Sequence, residues 1–195
     1  MHPTESKLWT DGWYRFAKHV HSPNFGARPA NCKAQLIVIH SISLPPNQFG
    51  SDHIERFFCN QLNHSEHPYF QGLVGVQVSA HFLIKRNSDL IQFVSCKDRA
   101  WHAGESTFQG KENCNDFSIG IELEGAEWAG TFEPGQYETL SALCSSLIGE
   151  YPVMHFAGHE HISPGRKKDP GSGFYWSYLQ RSLGLSDSFF HQTRG

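Results

Sequence analysis

The stretch Ala34 to His40 reads AQLIVIH, and no other segment constrains the fold as much. Apolar side chains fall on both alternating faces of an extended chain, so a strand here must be covered above and below. Such a strand needs partners on each side and two layers to bury it, and the rest of the chain offers candidates for both. Ser118 to Glu124 (SIGIELE) alternates, with Ile119, Ile121 and Leu123 on one face and Gly120, Glu122 and Glu124 on the other. Ala80 to Lys85 and Leu90 to Val94 flank Asn87-Ser88-Asp89, the composition of a hairpin turn. Trp13 to Val20 reads as an edge strand and Phe156 to Gly158 as a short one. Tyr137, Leu140, Cys144, Leu147 and Ile148 repeat with helical spacing, which predicts a helix over Tyr137 to Ile148. Asp52 to Leu62 and Phe174 to Leu183 read as two more helices. Strands interleaved with helices around a doubly covered strand predict an α+β fold, a single domain with a mixed central β-sheet flanked by helices.

The 195 residues suit one domain, placed on residues 8–185, with 186–195 expected as a flexible tail. A net charge of −3 excludes a footprint built on phosphate neutralisation, so no nucleic-acid partner is expected. The longest purely aliphatic run is Leu36 to Ile39, so no transmembrane helix and no membrane partner are expected. The start, MHPTESKLWTDGW, lacks the basic residues and apolar run of a signal peptide. Five widely spaced cysteines without a CxxC indicate neither a disulfide framework nor a cysteine zinc knuckle. Together these features favour the cytoplasm.

Histidine is in excess, 13 of 195 residues, and it is both the commonest metal ligand and the neutral-pH proton carrier. His40 ends the apolar run, where a sheet's crevice opens, although a satisfied core histidine fits the same position. His81 lies inside a strand, where a structural role is the simpler reading. His102 follows Trp101 in a loop (AWHAG) that suits a pocket wall. Gly158 to Gly171 packs two histidines, an acid and three bases between glycines and prolines, and reads as a loop. Hydrolysis at zinc needs three protein ligands, a carboxylate to take the proton of water, and a donor for the oxyanion. His40, a histidine from 159–161, Asp169, an acid from 118–124 and Lys167 supply such a set, and residue chemistry alone does not choose among them. No HExxH is present, which argues against a thermolysin-like helix site.

Five stretches carry a resemblance: Leu36 to Gly50 (LIVIHSISLPPNQFG), Val78 to Arg86 (VSAHFLIKR), Arg99 to Gly104 (RAWHAG), Cys114 to Gly125 (CNDFSIGIELEG) and Gly158 to Gly171. In this order they resemble the AmpD-type 1,6-anhydro-N-acetylmuramoyl-L-alanine amidases, within the zinc amidase and peptidoglycan-recognition-protein superfamily. The resemblance implies one zinc per chain held by His40, His159 and Asp169, with Glu122 activating water and Lys167 stabilising the intermediate. It makes Ser41, His81, Trp101, His102 and Asn113 the expected substrate contacts. It also implies a reaction: hydrolysis of the amide between the lactyl group of anhydro-muramic acid and L-alanine, during cytoplasmic peptidoglycan recycling. The partner is then a small anhydro-muropeptide, and a monomer is expected. Some positions depart from the family pattern. Ser41 stands in place of an asparagine, Glu160-His161 in place of Cys-Asp, and Gln77 and Asn113 in place of arginines that grip carboxylates bidentately. His161 either supports the site or competes as a ligand. Two alternatives are an amidase of intact periplasmic peptidoglycan and a non-catalytic binding module. The second is disfavoured because no ligand is missing. A cysteine hydrolase is disfavoured because no cysteine, Cys114 included, sits in a nucleophile context.

Overall fold

In the computed structural model, which describes residues 7–128 and 130–191, the chain opens with short strands. They are β1 (Trp9–Thr10), β2 (Trp13–Tyr14), β3 (Lys18–His19) and β4 (Phe25–Ala27). The long β5 (Leu36–Ile42) follows, then α1 (His53–Phe58), β6 (Phe82–Ile84), β7 (Leu90–Gln92), β8 (Asp98–Ala100), β9 (Thr107–Phe108) and β10 (Lys111–Glu112). The C-terminal part holds β11 (Ser118–Glu124), α2 (Pro134–Glu150), β12 (His155–Gly158), α3 (His159–Ile162) and α4 (Trp176–Leu183). Six strands form the main sheet in the order β12-β5-β11-β6-β7-β3. β5 pairs in parallel with β12 and β11, and β11 in parallel with β6, whereas β6 and β7 form the antiparallel hairpin expected around Asn87-Ser88-Asp89. The sheet is therefore mixed, as the sequence predicts.

β5 is covered on both faces. Ile37 and Ile39 join Ile119, Ile121, Leu123, Phe82 and Ile84 under the apolar stripe of α2, formed by Tyr137, Leu140, Leu143, Cys144 and Leu147. Leu36 and Val38 face the other way, against Ala103, Phe108, Cys114, Phe117 and Ile162. α2 starts three residues before its predicted beginning. Glu133 and Gln136 form a capping box, and Pro134 occupies the first turn, where its missing N–H costs nothing.

Two expectations are corrected. Trp13 to Val20 is not one strand. β2 folds back on β1 through the Asp11-Gly12 turn, both residues having positive φ, and a turn returning Ala17 N–H to the Tyr14 carbonyl separates it from the edge strand β3. Gly158 to Gly171 is not all loop, because its first residues form α3. There the Gly158 N–H donates to Nδ1 of His161, a local cap that a Gly/Pro pattern does not reveal. Within the expected tail, Phe190 stacks on Phe156, and His191 N–H donates to the Phe156 carbonyl. Residues 192–195 lie outside the described residues. Among the described residues no helix is long and apolar enough to cross a membrane.

Candidate metal centre

Parallel pairing brings the C-terminal ends of β5, β11 and β12 to one edge of the sheet, where α/β crevices open. The register pairs His40 with Glu122 and Ile39 with Gly158, so His159, the first residue of α3, arrives beside His40. The loop after α3 returns to this edge, pinned where the Glu160 N–H donates to the Asp169 carbonyl (2.8 Å). Nδ1 of His40 then lies 3.0 Å from Nδ1 of His159, and each lies 3.1 Å from Oδ2 of Asp169. Zinc–ligand bonds of 2.0–2.1 Å in a tetrahedron put neighbouring donor atoms about 3.3 Å apart. The three atoms therefore outline one face of such a site, a His-His-Asp group able to hold a metal ion.

The protonation of the group fits the same purpose. Nε2 of His159 lies 3.0 Å from the Ala103 carbonyl, which only accepts, so that nitrogen carries the hydrogen and Nδ1 is left as a bare donor to metal. Burial, and then the neighbouring His159, push His40 down to about 4, so its ring is neutral. Burial works to raise the Asp169 carboxyl, but the neighbouring His159 and His40 rings outweigh it and hold the carboxylate well below its usual range. Two histidine ring nitrogens and one ionised carboxylate are the donor set of a catalytic zinc site with an open position.

A cleft of about 670 Å³ opens on the group, lined by Ser41, Trp101, Glu122, His159, Lys167 and Asp169 among others. A family model described as N-acetylmuramoyl-L-alanine amidase matches residues 30–172. The chain belongs to this amidase family. Its relatives include the 1,6-anhydro-N-acetylmuramyl-L-alanine amidases AmpD of Haemophilus influenzae and Citrobacter freundii. The first is 47% identical over 92% of this chain and 96% of the relative, the second 44% over 87% and 91%. A crystal structure of a selenomethionine derivative of AmpD superimposes with a TM-score of 0.87 at 42% identity, covering 91% of this chain and 99% of that one. The Escherichia coli amidase AmiD, solved with anhydro-N-acetylmuramic acid-L-Ala-D-γ-Glu-L-Lys, matches at a TM-score of 0.57 and 30% identity, over 82% of this chain and 60% of that one.

Within this amidase fold the two acids of the Gly-Ile-Glu-Leu-Glu run have different surroundings. Glu124 is buried and satisfied, its two oxygens accepting from the Gly50 and Arg86 N–H groups. Glu122 reaches the cleft and its Oε2 is buried without a hydrogen-bond partner among the described residues. Burial, and then the charge of Asp169, raise the Glu122 carboxyl well above its usual value, while Lys167 works in the opposite direction. Lys167 is exposed on the cleft wall.

The expected substrate contacts divide. Ser41 and Trp101 line the cleft, and the indole Nε1 of Trp101 is a second buried polar atom without a partner among the described residues. His81 is fully buried away from the cleft, its Nδ1 accepting from the Gly120 N–H. His102 contributes to the cleft wall, yet its ring nitrogens face His40 and Ser118 rather than open space. Asn113 is exposed at a left-handed turn and does not line the cleft. His161 points away from the His-His-Asp group and packs on Trp176 and His191. Sequence reasoning missed Ser118 and Asn115, which organise the segment under His40. Ser118 was accessible in principle, since it shares the face of Glu122 in an alternating strand.

Proposed function

We propose that this chain is a zinc-dependent amidase that cleaves the bond between the lactyl carbonyl of 1,6-anhydro-N-acetylmuramic acid and the nitrogen of L-alanine. The observation that carries the reading is Glu122: a buried carboxylate oxygen without a partner among the described residues, beside a His-His-Asp group in a cleft of about 670 Å³. The activities named for the AmpD relatives, and the muropeptide named in the AmiD complex, support the substrate class.

His40, His159 and Asp169 would hold the zinc, which when bound supplies a Lewis acid that acidifies water and polarises a carbonyl. Glu122 takes the proton of the attacking water and returns a proton to the leaving amine nitrogen, so the products are a lactyl carboxylate and a free peptide. Its raised pKa suits a group that must both accept and give back a proton. Lys167 supplies positive charge to the oxyanion as it develops, typically worth about 3–4 kcal/mol. Trp101 offers its indole N–H and Ser41 its hydroxyl to the substrate. We place the amidase domain on residues 8–185 and its action in the cytoplasm. Five free thiols suit a reducing compartment, and one chain holds every group of the site, as a monomeric enzyme requires.

The test is mass spectrometry of products from the zinc-loaded protein, with an anhydro-muropeptide and intact sacculi offered in parallel. The expected products are anhydro-muramic sugar and a peptide with a free L-alanine amine. Release from sacculi alone would move the substrate to intact wall, and release from neither would leave only binding.

A further inference from the structure

Resting on the reading that His40 holds the metal, we infer that His102 is a positioning residue that fixes His40 in the tautomer able to do so. It acts through a chain of hydrogen bonds anchored at the Cys114 carbonyl. A carbonyl only accepts, so Ser118 Oγ, 2.6 Å from the Cys114 oxygen, donates its proton there. The serine oxygen is then left to accept, and the atom facing it at 3.1 Å is Nε2 of His102, which must carry hydrogen. A neutral imidazole has one N–H, so Nδ1 of His102 is bare and accepts from Nε2 of His40 at 2.9 Å. His40 in turn keeps its proton on Nε2, and its bare Nδ1 is the atom that faces His159 and Asp169. Among the described residues the two ring nitrogens of His102 face only His40 and Ser118.

The seat for this ring is built into β11. A Cβ on Gly120 would lie 2.4 Å from Cγ of His102, and the φ of Gly120 is not in the left-handed region. Glycine is there for space: the imidazole lies against the strand backbone. The main chain is held as well, because Oδ1 of Asn115 accepts from the N–H groups of both His102 (3.1 Å) and Ala103 (2.8 Å). The next residue serves the other ligand, since the Ala103 carbonyl takes the Nε2 proton of His159. Two consecutive residues thus orient both histidines, one through its ring and one through its backbone.

Groups that orient a ligand histidine in this way typically change metal affinity by about 10–100-fold. The test uses the full chain, with Zn2+ affinity measured by chelator competition and metal-free melting measured beside it. His102→Phe keeps a ring over Gly120 but offers no acceptor, and Ser118→Ala removes the anchor. Both should weaken zinc binding by about 10–100-fold without a matching loss of metal-free stability, and Ser118→Thr should restore it. Nitrogen-15 NMR of the metal-free protein should show His102 and His40 protonated at Nε2. A proton at Nδ1 of His102, or parental affinity in both His102→Phe and Ser118→Ala, would overturn the inference. Asp169→Ala in the same titration separates the two readings. If it binds zinc as tightly as the parent, the His-His-Asp assignment fails, whereas the NMR result still decides the tautomer of His102.

Discussion

On one face of β11, Ile119, Ile121 and Leu123 pack into the apolar layer beneath α2. On the other face, Ser118, Gly120, Glu122 and Glu124 each have a separate assignment: a hydroxyl under His102, a space for a ring, a free carboxylate in a cleft, and a clamp on two loop N–H groups. Both faces are buried, so burial does not distinguish them. The apolar face is held by contacts without direction, whose strength follows volume and area. The polar face is held by atoms with direction, where losing one partner leaves another buried group unsatisfied. One strand thus separates stability from chemistry at intervals of a single residue.

Four measurements can break or sharpen that contrast. The largest effect is expected from Asp169→Ala, which should reduce bound metal from about one ion per chain to near zero and activity to background, read by elemental analysis and product assay. Next is Glu122→Gln, which should retain its metal and lose about 10²–10⁴-fold in rate. Glu124→Gln should spare the chemistry, and the reverse result would put the reactive acid one pleat away. On the apolar face Ile121→Ala should cost about 2–5 kcal/mol of stability by denaturant titration, yet leave the metal affinity of the folded protein within about twofold. A tenfold fall in affinity would show that the two faces are coupled.

The smallest effect concerns the rings that burial holds neutral. Burial pushes His40 and His161 down to about 4 and His81 to about 3. The unfolded chain takes up protons below about 6.5 while the folded chain does not, so stability rises with pH between about 4 and 6.5 and is lost on acidification through that window. His161→Gln keeps an acceptor for Gly158 N–H and should flatten the slope, by on the order of 1 kcal/mol at pH 5. Urea midpoints at pH 5 and 7.5 would check it, and an unchanged slope would show that this ring is protonated in the folded state.

Much of this arrangement was legible in the sequence. The bounds of β11, the doubly covered β5 and the β6–β7 hairpin follow from local alternation and turn chemistry. The residues alone left Glu122 and Glu124 equivalent, because both lie on one face. What separates them is the loop N–H groups at Gly50 and Arg86, which are distant in sequence. His102 read as a pocket residue because a loop has no period to show which way a ring points. Its direction depends on the space at Gly120. The strand break after Tyr14 and the cap made by His161 were hidden for the same reason, since each rests on a specific hydrogen bond rather than on a repeating pattern.

His40 lies 119 residues from His159 and 129 from Asp169, whereas His159 and Asp169 are only 10 apart. An incompletely folded chain can therefore offer a metal no more than a two-ligand fragment. Full coordination requires β12 to have docked on β5, a contact that closes a long loop and is intrinsically slow to form. An ion bound there would stabilise the closed sheet by mass action, and a chain whose sheet is still open would lack the complete ligand group.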